Sequence, residues 1–301
     1  MDPIAAELFE LELALPNEEI QARGKRLIGF EARYDRIRRD MRLLSAPDEV
    51  RKWSNEFYGR ELPLCEIVVD RYPLLIFAGD VGTGKTATAE GACDQLARES
   101  ERPSMLFKLS TRVRGTGKVG QMSSLINQAF EIITKEAGKT KSAFLIIDEA
   151  DSLSAARDGG QSHHEDKVAV NTIIQKVDDV RRLGGRVLVI LCTNREHALD
   201  AAVVRRAARV ERFYRPDTSE REQLIRMDYE GVGLSDSAVR EIVALTGPQK
   251  KPRRLGFTFS DLRARLLPEA LALAFPDRKL TAEDLLRAAS SVQPSPAVKE
   301  P

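Results

Sequence analysis

The 301-residue chain carries 47 Lys and Arg against 46 Asp and Glu, a formal net charge of +1, with 42% hydrophobic and 31% charged residues. That balance supplies ample material for a core and excludes a global field that would draw the protein to nucleic acid or a membrane surface. No apolar run nears the roughly 18 residues that span a bilayer, the acidic start MDPIAAELFELELAL lacks a basic n-region, and the scattered Cys65, Cys93 and Cys192 form neither a metal spacing nor a disulfide framework, so a cytoplasmic protein is expected.

In chain order, residues 1–22 hold an alternating patch (Leu11, Leu13, Leu15) and then Pro16-Asn17-Glu18-Glu19, a helix start. In the segment 25–44 the apolar positions from Tyr34 onward, Tyr34, Ile37, Met41 and Leu44, follow helical spacing. Its other face is rich in arginine (Arg33, Arg36, Arg38, Arg39, Arg42) and reads as a solvated face offset by Asp35 and Asp40 rather than a nucleic-acid surface. A second helix is expected over 47–58, followed by a link through Gly59 and Pro63, with Trp53 packing among these helices. Beyond it come a buried strand at 74–78, a helix over 87–98, a strand at 104–110 and a basic, glycine-rich loop at 112–120. An amphipathic helix over 121–136, a buried strand at 143–147, a helix over 167–182 and a buried strand at 187–192 follow. His163 and His164 lie in a polar stretch that reads as loop. Alternating buried strands and helices predict a parallel sheet with helices on both faces.

From Pro216 the character changes to a small all-helical domain. Thr218 or Ser219 is expected to cap a helix reaching about Tyr229, and Ser235 one over 236–245. A basic loop at 248–257 precedes helices near 260–273 and 281–290. The final QPSPAVKEP has the composition of a disordered tail.

The chemistry begins at 79–86. Gly79-Asp80-Val81-Gly82-Thr83-Gly84-Lys85-Thr86 fits G-x-x-x-x-G-K-[ST], placed between a strand and a helix. The glycines let backbone N–H groups approach phosphate oxygens, Lys85 reaches the β- and γ-phosphates, and Thr86 offers its hydroxyl to Mg²⁺ at a helix N-terminus. The strand at 143–147 ends in Asp148 and Glu149. Asp148 is placed to hold Mg²⁺ with Thr86, and Glu149 to polarise an attacking water. Asn194, after the strand 187–192, suits a polar contact to the γ-phosphate or that water. Arg205 and Arg206, in DAAVVRRAAR, are either guanidiniums for phosphoryl transfer, often supplied by a neighbouring subunit, or a solvated helix end. The implied ligand is ATP with Mg²⁺.

Taken together, GDVGTGKT, FLIIDEAD, CTNR, the Arg205-Arg206 segment and the helical end resemble an AAA+ ATPase over residues 25–292. Within that superfamily the stretch 144–216 resembles the pachytene-checkpoint remodellers that act on HORMA-domain proteins, and Val170-Asn171 with Val177-Asp178 match a pattern in the helix after the second motif. The resemblance implies a P-loop domain with a parallel five-stranded sheet at 25–216, a short segment 1–24 before it, a helical lid at 217–292 and a tail at 293–301. It also implies a homohexamer with ATP between subunits, a HORMA-domain substrate converted from closed to open form, Arg206 or its neighbour Arg205 as arginine finger, and a pore loop at 112–120. Arg112 and Val113 stand where aromatic residues are usual, and the lid arginine that senses nucleotide is matched only by Arg263, since strict counting from Pro268 falls on Leu262. The short N-terminal segment resembles bacterial members of cyclic-oligonucleotide antiphage systems (CBASS), which implies a HORMA-bound nucleotidyltransferase as a further partner. The alternative is an AAA+ ATPase acting on nucleic acid, of the initiator or clamp-loader type, through Lys250, Lys251, Arg253 and Arg254. A scaffold that binds nucleotide without turnover is disfavoured by Asp148, Glu149 and Asn194.

Overall fold

A computed structural model describes residues 8–100, 102–109, 121–150, 162–250 and 254–298. The described chain divides into two compact units: one contains Phe30–Ala78 and Thr86–Arg212 together with the chain up to Arg26, the other Leu27–Gly29, Gly79–Lys85 and the chain from Phe213 on.

The first unit is built on a six-stranded sheet. Its strands are β1 (Phe9–Leu15), β2 (Leu74–Gly79), β3 (Ser104–Leu109), β4 (Ser142–Ile147), β5 (Val187–Thr193) and β6 (Arg209–Phe213), in the spatial order β1-β3-β4-β5-β2-β6. Pairs β3–β4, β4–β5 and β2–β5 are parallel. Every residue of β4 and β5 is buried, which is why those strands read as unbroken apolar runs.

The alternating patch near the N-terminus is β1, which adds a strand to the five expected and runs antiparallel to β3, with Leu15 opposite Ser104 and Phe9 opposite Leu109. As an edge strand it buries only Phe9 and Leu15 fully, so its signal was alternation without a long apolar run. β6 was hidden for a related reason: RVERF carries charges that are consumed by partners. Arg209 bonds Asp40 at 3.2 Å, and Glu211 accepts from Arg36 at 2.6 Å.

Helices α1 (Glu18–Lys25), α2 (Phe30–Ser45), α3 (Pro47–Tyr58) and α4 (Pro63–Val69) follow β1. Asn17 caps α1 by accepting from Glu19 N and Ile20 N. Phe30, Tyr34, Ile37, Met41 and Leu44 form the buried stripe of α2, each burial contributing roughly 1.5–3 kcal/mol. The arginine face of α2 is largely paired within the chain, Arg36 with Glu211, Arg38 with Glu99 and Arg42 with Glu49. The expected link at 59–63 is shorter than predicted, because Pro63 starts α4 at a position where its missing N–H costs nothing. Trp53 is not a core residue: it is 42% exposed and neighbours the rings of Phe57 and Tyr58.

α5 (Lys85–Ser100), α6 (Gln121–Ala137), α7 (Ser162–Arg181) and α8 (Ala201–Arg206) complete this unit. α7 begins earlier than expected, so His163 and His164 belong to its first turn rather than to a loop. The three cysteines are buried and none forms a disulfide among the described residues.

The second unit contains α9 (Thr218–Asp228), α10 (Asp236–Leu245), α11 (Phe259–Asp261), a π turn (Leu262–Leu266), α12 (Leu267–Ala272) and α13 (Ala282–Ser291). Its core gathers Leu224, Ile225, Ile242, Phe257, Leu266 and Leu285. Asp217, not Thr218 or Ser219, caps α9: it accepts from Glu220 N at 2.8 Å while Glu220 accepts from Asp217 N at 3.1 Å, a reciprocal capping box. Ser235 caps α10 as predicted. Residues 293–298, read as tail, are held by hydrogen bonds: Ser295 donates from N and Oγ to Asp261 at 3.0 and 2.6 Å. Pro294 and Pro296 flank Ser295 and restrict its unfolded freedom, so few bonds suffice to order it. Among the described residues no helix is long and apolar enough to cross a membrane.

Candidate nucleotide-binding site

Within the second unit the loop Gly79–Lys85 is shaped by close approach. Gly79 has φ 153°, and a Cβ there would meet Phe213 O at 2.1 Å. Gly82 has φ 73°, and a Cβ would meet Ser260 Cβ at 2.7 Å and Thr258 Oγ1 at 2.8 Å. Both positions therefore require glycine. Gly84, at φ 91°, has nothing within 4 Å of such a Cβ, which leaves open space beside the backbone. Lys85 is buried and its Nζ donates to Gly79 O at 3.0 Å and Asp80 O at 2.8 Å, while Thr83 Oγ1 donates to Asp80 O at 2.7 Å. A buried ammonium held by loop carbonyls, next to glycine backbone with room beside it, is a donor set that fits a phosphate chain.

Within the first unit β5 lies between β2 and β4, so the ends of those three strands share one sheet edge, where open α/β sheets bind ligands. Ala78 is level with Thr193, and Ile147 with Leu191. Asp148, Glu149 and Asn194 follow directly. Thr86, the first residue after the loop, donates from Oγ1 to Asp148 Oδ2 at 2.7 Å, bringing together the two predicted metal-binding side chains. Their oxygens are a hard donor pair that suits Mg²⁺. Glu149 is exposed and adopts φ 50°, the one non-glycine residue with positive φ among the described residues; its N–H donates to Asp148 Oδ1 at 2.8 Å. The left-handed turn places Glu149 directly after the Asp148 carboxylate at the strand end. Asn194 is half-buried at the end of β5.

Lys108 was not anticipated as part of this group. It lies near the end of β3, and its Nζ is 2.6 Å from Glu10, 3.8 Å from Glu90 and 3.9 Å from Asp148. Burial pulls the Lys108 ammonium down, but the surrounding carboxylates outweigh it and its pKa rises. Glu90 is shifted upward by burial, against the opposing charges of Lys108 and Arg23. The available signal was a lysine inside the otherwise apolar strand SMLFKL.

The arginine candidates separate by their partners. Arg206 pairs with Asp178, Nε to Oδ1 at 2.9 Å and Nη2 to Oδ2 at 3.2 Å, with its guanidinium 5.3 Å from the Tyr72 ring. Arg205, one residue earlier on α8, is exposed. Arg263 is committed within its own unit to Asp228, at 2.6 and 3.0 Å. The Asp228 side chain is 2% exposed, so this pair is anchored on a buried carboxylate. Arg263, the arginine expected to sense nucleotide, is thus paired within its own unit. Arg112, Val113 and the rest of the expected pore loop at 112–120 lie outside the described residues. In the basic 248–257 segment Arg254 stacks 5.7 Å from the Phe257 ring and donates to Leu245 O, so it is part of the fold; Lys251 and Arg253 lie outside the described residues.

Comparison with known proteins places the chain in a family. The profile of the ATPase family associated with various cellular activities (AAA) matches residues 75–217. CD-NTase-associated protein 6 of Escherichia coli strain KTE188 is 50% identical over 292 residues, covering 97% of this chain and 97% of the relative. A chain in the structure of the E. coli MS115-1 HORMA:CdnC:Trip13 complex superposes with a TM-score of 0.89 at 37% identity, covering 99% of this chain and 100% of that one. The structure of Rhizobiales Trip13 gives a TM-score of 0.72 at 32% identity, covering 96% of this chain and 100% of its own. With the strand-end carboxylates, the glycine-shaped loop and identity running through nearly the whole of both chains, this protein belongs to the AAA ATPases, in the family of CD-NTase-associated protein 6.

Proposed function

We propose that the chain is a cytoplasmic, homohexameric ATPase that hydrolyses MgATP to remodel a HORMA-domain protein, opening its closed form and dismantling its complexes. By doing so it restrains a HORMA-bound nucleotidyltransferase in antiphage signalling. The observation that carries this reading is the end-to-end likeness to a chain found in a complex with HORMA and CdnC.

Each residue has a role in that reaction. Lys85 offsets the charge of the β- and γ-phosphates, and the loop amides from Gly79 to Gly84 donate to their oxygens. Thr86 and Asp148 would hold the magnesium ion, which when bound supplies positive charge to the phosphates. Glu149 takes up the proton of the attacking water, and Asn194 orients that water or the γ-phosphate. Arg206, with Arg205 as the alternative, reaches the γ-phosphate of an adjacent subunit. The Arg206–Asp178 pair is partly exposed, with side-chain exposures of 18% and 41%, and such a pair contributes about 1 kcal/mol or less. Arg206 can therefore exchange Asp178 for a phosphate at small cost.

Of the Lys250, Lys251, Arg253 and Arg254 cluster on which the nucleic-acid alternative rests, Arg254 is spent on the fold, donating to Leu245 O and stacking on Phe257. The deciding experiment is capture with Glu149→Gln in ATP, which should retain nucleotide and hold its substrate. Recovery of a HORMA-domain protein supports the reading. Recovery of nucleic acid alone, or wild-type turnover no faster than that of Glu149→Gln, overturns it.

A further inference from the structure

Asp80 lies inside the phosphate loop, yet its carboxylate is held by Arg215, an arginine the proposed nucleotide chemistry does not use. Arg215 Nε donates to Asp80 Oδ2 at 2.7 Å, and its Nη2 lies 2.6 Å from the same oxygen. The same guanidinium donates from Nη1 to Gly256 O at 2.7 Å and from Nη2 to Ser295 O at 2.8 Å. Ser295 in turn donates from N and Oγ to Asp261. Asp261 is the reciprocal partner in the Thr258 capping box at the start of α11. That helix start returns to the loop: Ser260 N donates to Gly82 O at 3.1 Å. The bonds close a circuit, from Asp80 through Arg215, Ser295 and Asp261 to Ser260 and Gly82, all within one unit. Arg265 fixes the far end of the strap by donating to Gln293 O at 3.0 Å, and Val298 N reaches Asp80 Oδ1 at 3.4 Å.

From this circuit we propose that Arg215 is a positioning residue for triphosphate binding and that residues 293–298 are an intrachain strap that sets the phosphate loop through it. The reasoning is geometric. Asp80 presents two faces: its carbonyl accepts from Lys85 Nζ and Thr83 Oγ1, and its carboxylate is held by Arg215. Fixing the carboxylate fixes the peptide unit that holds the phosphate-binding lysine. Arg215 is only 14% exposed in its side chain and engages three acceptors with three nitrogens, so it forms a rigid, planar clamp that lysine cannot reproduce. Ser295 and Gly256 supply the carbonyls that fix its orientation. Coupling of this kind is reciprocal: if the strap tightens nucleotide binding, nucleotide must tighten the strap.

The inference rests on the reading that this loop binds MgATP, and the experiment separates the two. In a Glu149→Gln background, where ATP persists, MgATP affinity is measured for the full-length parent, Arg215→Ala, Arg215→Lys, Ser295→Pro and the double variant Arg215→Ala/Ser295→Pro. Ser295→Pro removes both bonds to Asp261 while leaving Arg215 intact. Each of Arg215→Ala and Ser295→Pro should weaken binding about tenfold, within the range of ordinary site-to-site coupling. The double variant should be no weaker than the weaker single one, and Arg215→Lys should recover only part of the loss. In the Glu149 wild-type background the same changes should raise KM while leaving kcat within about twofold, the pattern of lost uniform binding. MgATP should also slow amide exchange at Ser295 and Val298. Parent-like affinity for Ser295→Pro in a folded chain, or losses that multiply in the double variant, would sink the strap. A parent chain that binds no MgATP would sink the nucleotide reading itself.

Discussion

At the level of single side chains, the roles proposed for Lys85 and Glu149 follow from charge. Lys85→Ala removes an ammonium facing phosphate oxygens, a charge-assisted bond contributing about 1.5–3 kcal/mol, so MgATP binding should weaken roughly 10- to 100-fold. Equilibrium titration with a fluorescent ATP analogue reads this directly, and unchanged affinity would show that the lysine stays bound to the carbonyls of Gly79 and Asp80. Glu149→Gln keeps the size and the φ 50° backbone but loses the proton acceptor, so kcat should fall by about 10²–10⁴ with ATP still bound. The identities of these residues were readable from G-x-x-x-x-G-K-[ST] and from a buried strand ending in Asp-Glu, because each motif is contiguous. Lys108, Glu90 and Glu10 were not readable as a group, since β1, β3 and α5 meet only in the folded sheet.

At the scale of elements, periodicity served best where one face is fully buried. The stripe of α2 from Tyr34 to Leu44 and the unbroken runs of β4 and β5 were plain in the sequence. Edge elements were harder, because β1 and β6 spend their polar residues on specific partners rather than on solvent. The lid adds a pH-dependent term. Arg278 donates twice to Asp284 at 2.6 Å and holds its carboxyl well below the usual carboxylate range. A carboxylate depressed in the folded state lends stability that is fully present above its unfolded pKa of about 3.9 and is lost as pH falls below it. The difference in unfolding free energy between wild type and Arg278→Ala should therefore be constant from pH 7 to 5 and shrink as the pH drops toward 2, followed by urea titration at each pH. A constant difference at every pH would assign the effect to packing instead. Asp217→Ala should cost about 1 kcal/mol of lid stability through loss of the α9 cap, measured the same way.

For the whole molecule, the test is whether chains complete one another. On the proposed hexamer, Arg206→Ala and Glu149→Gln should each cut hydrolysis strongly alone, yet a mixture should recover activity at interfaces where an intact Glu149 meets an intact Arg206. If no mixing ratio restores turnover, while Arg205→Ala mixed with Glu149→Gln does, the finger is Arg205. The sequence by itself pointed to the nucleotide-binding motifs and to the buried strands and amphipathic helices, since these are written in short contiguous patterns whose physics is local. Tertiary structure decided what becomes of charges that local patterns leave open. It pairs the arginines of α2 with glutamates far along the chain, commits Arg263 to a buried Asp228, and separates Arg206 from the exposed Arg205. It also turns a tail of polar residues and prolines into a strap on the phosphate loop. A charged side chain is specified by its partner, and the partners here are brought near only when the chain has folded.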